Sequence, residues 1–330
     1  MNILSLLWDA AKIGSKKALP ILSFPAAQKL DVTVETLVKS SDLQAQAMGI
    51  IANDTATVAA VSLMDLSVEA EAFGASVRFS QDDVPAIIGQ LVSNEDEANA
   101  LTVPDLSAGR AFLCIEAVRK AKTHIIDKPV LAGMIGPYSL AGRLCDVTEI
   151  MYLCFDEPET VHTVLAKATQ YLIMYGRAMK ESGAAGIILA EPLAGILSPD
   201  MACEFSMPYV KQIIDALQDD EFAVIYHNCG NTVPQMLDSI YALGASAYHF
   251  GNAIDLEAVL RVTPSNTLVM GNIDPAGQFA AGSVDSISAA TRDLLAKCGK
   301  YPNFIPSSGC DIPAHAKWDN IAAFFHAINI

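Results

Sequence analysis

Apolar residues along this chain fall into short unbroken runs, separated by longer segments in which they recur every three or four positions. An apolar run of four to seven residues bounded by Gly, Pro, Asn or Asp reads as a strand buried on both faces. Eight such runs occur, at 18–24 (ALPILSF), 57–63 (TVAAVSL), 129–134 (PVLAGM), 186–190 (GIILA), 222–226 (FAVIY), 245–250 (ASAYHF), 267–270 (TLVM) and 303–306 (NFIP). Helical periodicity fills the intervals. The segment 161–182 has apolar residues at 161, 164, 165, 168, 172 and 173 and stops at Gly183. Further helices are expected at 232–243, 255–262 and 283–298, with two more ahead of the first strand (2–14) and between the first two (33–53).

Eight strands alternating with helices predict an α/β fold, a (β/α)8 barrel of the TIM type with N-terminal helical additions. A doubly wound sheet gives the same alternation, but the phosphate-cradling Gly-x-Gly-x-x-Gly that would favour it does not follow the first strand. The segment 64–106, rich in Asp, Glu and Ser, is expected to be an excursion covering one barrel end. No linker, repeat or low-complexity tract divides the chain, so residues 1–330 are expected to form a single domain.

Composition changes this picture in two respects. Hydrophobic residues make up 52% of the chain and charged residues 18%, which is globular and not disordered. Against 21 Lys and Arg stand 37 Asp and Glu, a net charge of -16 that repels phosphate backbones and anionic lipid, so no nucleic-acid partner is expected. No run reaches the roughly 18 apolar residues of a membrane span. The N-terminal segment has no basic stretch ahead of its apolar part, and Asp9 interrupts that part, so a cytoplasmic protein is expected. Seven scattered cysteines (114, 145, 154, 203, 229, 298 and 310) lack the spacing of a disulfide scaffold.

Barrel enzymes carry their chemistry at the C-terminal ends of the strands. The residues there are Glu191-Pro192, then His227-Asn228-Cys229, then His249 and Asn252, then Gly271-Asn272-Ile273-Asp274-Pro275, and last Ser307-Ser308-Gly309-Cys310-Asp311. Alternate residues of a strand share a face, so His227 and Cys229 point the same way. One imidazole and two thiols satisfy the nitrogen and sulfur preference of zinc, and three protein ligands with one open position is the catalytic arrangement. Structural readings stand beside these. Cys310 also reads as a packed loop thiol, Cys229 as a buried residue under the next helix, His249 more readily as a hydrogen-bonded wall residue than as a ligand, Glu191 as a cap of the following segment or a partner of a lysine, Asp274 equally as a helix N-cap, and Asp311 as a cap of the last helix.

His227-x-Cys229 with the distant Ser-Ser-Gly-Cys310-Asp-Ile-Pro resembles the zinc signature of the corrinoid-dependent methyltransferases in the uroporphyrinogen decarboxylase superfamily, methylcobamide:coenzyme M methyltransferases among them. Gly136-Pro137-Tyr138-Ser139-Leu140-Ala141, Gly271 to Pro275, and Asp65 to Phe79 with Glu69 and Glu71 before Phe73-Gly74 resemble further superfamily motifs. The resemblance extends over nearly the whole chain. It implies that His227, Cys229 and Cys310 hold zinc with a fourth position free for a substrate atom. A thiol bound there would lose its proton and be aimed at a methyl group on corrinoid cobalt.

The chain lacks the Asp-x-His-x-x-Gly motif of cobalamin domains, so the corrinoid is expected on a partner protein, with a small-molecule methyl donor or acceptor as the second partner. Uroporphyrinogen decarboxylase-type lyases bind a polycarboxylate through an N-terminal Arg-rich motif, whereas here the first arginine is Arg78. That lyase is the alternative reading, together with a non-catalytic metal-binding barrel. Strand-end placement makes Glu191 (fourth ligand or proton acceptor) and His249 the expected catalytic residues. Asn252 and Asp274 are expected at the cofactor, and Asn228 and Asn231 are expected to tune the thiolates.

Overall fold

The structure, a computed structural model, describes residues 2–329. Its strands, numbered in chain order, are β1 (Ala60–Val61), β2 (Ser76–Arg78), β3 (Ala86–Ile88), β4 (Val130–Ile135), β5 (Gly186–Ala190), β6 (Ala223–Asn228), β7 (Ala247–Phe250), β8 (Val269–Ile273) and β9 (Phe304–Ser308). β2 and β3 form a separate antiparallel hairpin, and the other seven form one parallel sheet in the order β1-β4-β5-β6-β7-β8-β9. The sheet curls as a TIM-type barrel does, with helices outside it.

The expected first strand, 18–24, is extended but too sparsely bonded to be a strand. Leu19 N–H donates to the Pro306 carbonyl of β9 at 3.0 Å, and Val58 N–H donates to the Ala18 carbonyl at 2.9 Å, just before β1. The segment therefore fills the gap between the sheet's two edges. Pro20 has no N–H to add to a ladder, which is why the hydrogen bonding stays irregular. The second expected strand shrinks from 57–63 to Ala60–Val61, paired with Val130 and Leu131.

Side chains alternate between the barrel lumen and the outer layer. Leu131, Ile188, Ala190, Ala223, Ile225, Ala247, Leu268, Met270 and Ile305 pack together inside, whereas Val130, Ile187, Leu189, Val224, Tyr226, Tyr248, Phe250 and Phe304 pack outward against the helices. Ile3, Leu7 and Ala10 of the helix Ile3–Ala10 join the lumen cluster, so the first helix seals the core of the barrel. Asn2 caps it, its side-chain oxygen accepting from Leu4 and Ser5 N–H.

Other helices fall close to expectation, at Pro158–Glu181, Leu256–Val262 and Val284–Cys298. The long helix expected over 33–53 is two helices, Val34–Val38 and Ser41–Asp54, because Ser40 takes a β conformation and caps the second. The helix expected over 232–243 breaks into a 3-10 turn, Val233–Gln235, and the helix Leu237–Tyr241. No described helix is long and apolar enough to cross a membrane.

The excursion 64–106 holds the helix Val68–Ala72, the β2–β3 hairpin and the helix Glu95–Ala100. Buried Arg110 ties its first part down. The guanidinium pairs with Asp65 and Glu71, and its third nitrogen donates to Ser67 Oγ at 2.8 Å. Removing one member of a buried pair leaves an uncompensated charge, at a cost of about 3–5 kcal/mol. Arg110→Met is therefore expected to lower the unfolding free energy measured by urea titration by an amount in that range, and a change under about 1 kcal/mol would show that the pair does not anchor the excursion.

Candidate metal centre

β6 runs Ala223 to Asn228, and its inward residues are Ala223 and Ile225. Continuing the alternation brings His227 inward at the strand end and Cys229 inward one step beyond it. The chain leaves β6 tightly against the end of β7. A Cβ on Gly251 would lie 2.6 Å from both Cα and Cβ of Cys229, so only glycine lets the two strand ends meet this closely. Cys310 arrives from the loop after β9, where Gly309 N–H donates to the Ile273 carbonyl at 2.6 Å and Ile312 N–H to the Ile21 carbonyl at 3.0 Å.

These three elements bring one nitrogen and two sulfurs within 4.8 Å of one another. His227 Nε2 is 3.5 Å from Cys310 Sγ. Two thiols this close share their protons unequally. The hydrogen bond from Cys310 pulls Cys229 well below the ordinary thiol range, and the bond to Cys229 with burial pushes Cys310 above it. The pair gives up one proton readily, and a cation between the sulfurs is what would favour loss of the second. A nitrogen and two sulfurs at one point, with no fourth protein ligand among the described residues, fit zinc in an open site.

A pocket of about 180 Å³ opens beside His227 and Cys310. Its walls are mostly apolar, from Ile21, Met64, Leu66, Val84, Pro85, Ala190 and Pro192, and two ionisable residues, Arg143 and Asp311, also line it. Val84 and Pro85 lie between β2 and β3, so the excursion does cover this end of the barrel. Arg143 makes no hydrogen bond or ion pair with any described residue, and its Nε is buried without a partner. Asp311 is not the cap of the last helix, Trp318–Ile328, whose N-cap is Lys317. Burial raises its carboxyl well above the usual range.

Several expected site residues stand elsewhere. Glu191 follows Ile187 and Leu189 in parity, and those face outward. Its carboxylate accordingly turns away from the lumen and accepts from Ser139 N–H (3.3 Å) at the start of the helix Pro137–Cys145 and from Ser206 Oγ (3.1 Å). It is no fourth ligand in this geometry. His249 does point inward, but lies wholly buried behind His227 and lines no part of the pocket. Burial, with the neighbouring His227 ring, holds it well below the usual histidine range.

Asn252 and Asp274 share a separate open depression with Asp255 and Asn272. Asp274 caps the turn that follows it, accepting from Ala276 and Gly277 N–H, both at 3.0 Å. Asn228 faces outward, donating to Tyr226 Oη and accepting from Gly230 N–H, and Asn231 is exposed. Neither asparagine hydrogen-bonds a thiol. Arg143, which the sequence reading missed, lies two residues beyond the Gly136–Ala141 motif, on the helix that motif begins.

A sequence model of the uroporphyrinogen decarboxylase (URO-D) family matches residues 18–329. The chain belongs to the uroporphyrinogen decarboxylase family. The chain is 26% identical over 235 residues to the methylcobamide:CoM methyltransferase MtbA of Methanosarcina acetivorans, covering 70% of this chain and 68% of that protein. It is also 26% identical over 287 residues to the uroporphyrinogen decarboxylase of Nitrosomonas europaea, covering 82% and 78%. A solved methyltransferase from Methanosarcina mazei shares the fold with a TM-score of 0.88, covering 99% of this chain and 96% of that one at 21% identity. The chain is thus similar both to a methyltransferase and to a decarboxylase.

Burial raises the Glu191 carboxyl to about 8. Its unfolded value is about 4.3, so between these values the folded state holds a proton that the unfolded state has lost. Its contribution to stability is full below about 4.3 and declines as pH rises towards 8. Glu191→Gln is expected to flatten the pH dependence of the urea midpoint in that window and to leave zinc content unchanged. Lost zinc in this variant would return Glu191 to the metal.

Proposed function

We propose that this protein is a zinc-dependent methyltransferase that moves a methyl group between a corrinoid, carried by a partner protein, and a small substrate, a thiol. The carrying observation is the open His227, Cys229 and Cys310 cluster at the mouth of a parallel barrel, beside a pocket sized for a small molecule. Similarity to a methylcobamide:CoM methyltransferase supports the same reading.

Bound by His227 Nε2 and the two sulfurs, zinc supplies a Lewis acid that favours the thiolate form of a substrate sulfur at neutral pH. The chain's own residues do the rest. The hydrogen-bonded thiol pair gives up one proton readily, and a cation between the sulfurs would favour loss of the second, so the two sulfurs would supply the negative charge that holds it. Ile21, Met64, Leu66, Val84 and Pro85 exclude water, which keeps a thiolate poorly solvated and reactive. Arg143, on the pocket wall without a hydrogen bond or ion pair and with Glu69 and Asp65 as acidic neighbours, would read the non-reacting end of the substrate.

Decarboxylation of a polycarboxylate fits this pocket less well. Such a substrate needs several cations, and Arg143 is the one Arg or Lys among the residues that line the pocket.

Purified protein is expected to hold one zinc, and Cys310→Ala to lose both zinc and methyl transfer, followed spectroscopically as cobalamin demethylation with a panel of thiols. Wild-type protein that takes up no zinc, or a Cys310→Ala variant with full transfer, would sink the proposal. For a thiol bearing an anionic group, Arg143→Met should raise KM about tenfold or more, equivalent to about 1.4 kcal/mol, with little change in kcat. An unchanged KM removes Arg143 from the substrate site.

A further inference from the structure

Behind His227 runs a chain of buried polar groups that ends on the backbone. His227 Nδ1 is 2.7 Å from His249 Nδ1 and 3.2 Å from the His249 carbonyl oxygen. His249 Nε2 is 2.8 Å from Ser307 Oγ, and Ser307 Oγ is 2.7 Å from the Leu19 carbonyl oxygen. All three side chains are buried, with exposures of 2% for His227 and 0% for His249 and Ser307.

The far end fixes every direction. A carbonyl oxygen only accepts, so the one hydroxyl hydrogen of Ser307 goes to Leu19. Ser307 Oγ then accepts from His249, which puts the His249 hydrogen on Nε2. No carboxylate contacts the fully buried His249 ring, and an unpaired charge there would be costly, so the ring is neutral and its Nδ1 carries a lone pair. That lone pair takes a hydrogen from His227 Nδ1. The His249 carbonyl, itself only an acceptor, demands a hydrogen on the same atom. In the neutral His227 ring the single hydrogen is then on Nδ1, which leaves Nε2, the atom 3.5 Å from Cys310 Sγ, with its lone pair.

We propose that His249 is a positioning residue that holds His227 in the Nδ1–H tautomer and so aims the Nε2 lone pair at a metal between Cys229 and Cys310. The metal half of this statement rests on the zinc reading above, and the tautomer half does not. An imidazole without this constraint samples both tautomers, and the wrong one turns an N–H towards the metal. Leu19 lies in the segment that closes the barrel between β9 and β1, so the ligand's proton is set by the same segment that completes the wall.

The test combines nuclear magnetic resonance and metal competition on the full chain. Metal-free protein labelled with nitrogen-15 histidine should show His227 protonated at Nδ1 in long-range proton–nitrogen correlation spectra, and His249→Leu should lose that preference. Zinc affinity by chelator competition should fall about 10–100-fold in His249→Leu. His249→Asn should recover most of it, because the amide oxygen stands where Nδ1 stood. Circular dichroism melting of each variant checks its fold.

A neutral wild-type His227 with its single hydrogen on Nε2 overturns the proposal outright, and needs no variant. Equal zinc affinity in a folded His249→Leu overturns the positioning role. Wild-type protein that shows the Nδ1–H tautomer yet binds no zinc removes the methyltransferase reading while the tautomer control stands.

Discussion

The two-residue alternation of a parallel strand is the constraint on which the mouth of this barrel depends. Ala223, Ile225, His227 and Cys229 follow one another inward along β6, and the last two carry nitrogen and sulfur to the end of the lumen. The same alternation sends Ile187, Leu189 and Glu191 outward on the neighbouring strand. Two adjacent strand ends thus present opposite chemistries to the pocket. One offers soft ligands, and the other offers Ala190, a small apolar wall.

The outward acids have their own work. Glu69 accepts from Ile135 N–H at the end of β4, and Glu191 accepts from Ser139 N–H at the helix that β4 leads into. Both are fully buried and both are pushed up, to about 7 and about 8, because burial disfavours the charged carboxylate. They fix the backbone on either side of Gly136, and the helix begun there carries Arg143 to the pocket wall. A strand-end acid that looked catalytic in sequence thus hydrogen-bonds the start of the helix that carries Arg143. Arg110, held by Asp65, Glu71 and Ser67, does the same for the excursion whose Val84 and Pro85 cover the pocket.

Most strands were legible because a parallel strand buried on both faces is apolar along most of its length, and β4 to β9 are, apart from His227, Asn228, His249, Asn272, Ser307 and Ser308 towards their C-terminal ends. The 18–24 run was equally apolar, but Pro20 withheld a donor, and whether an extended segment becomes a strand depends on hydrogen-bond partners far away in sequence. The break in 33–53 was readable in principle from Ser40, whose hydroxyl caps a second start. His227, Cys229 and Cys310 were legible because zinc chemistry restricts ligands to few residue types. Arg143 was not, since a single arginine on a short helix gives no local sign of facing a pocket.

By itself the sequence determined the barrel, the strand ends and the identity of the three metal-ligand candidates, because these follow from local periodicity and from side-chain chemistry. Only the tertiary structure decided what each remaining polar residue faces. His249 became the support of His227, Asp274 a cap, Glu191 a helix anchor and Arg143 part of the pocket wall. The physical reason is that a buried polar group takes its role from the partners it finds on other elements, and those distances are set by barrel closure and helix packing rather than by sequence separation.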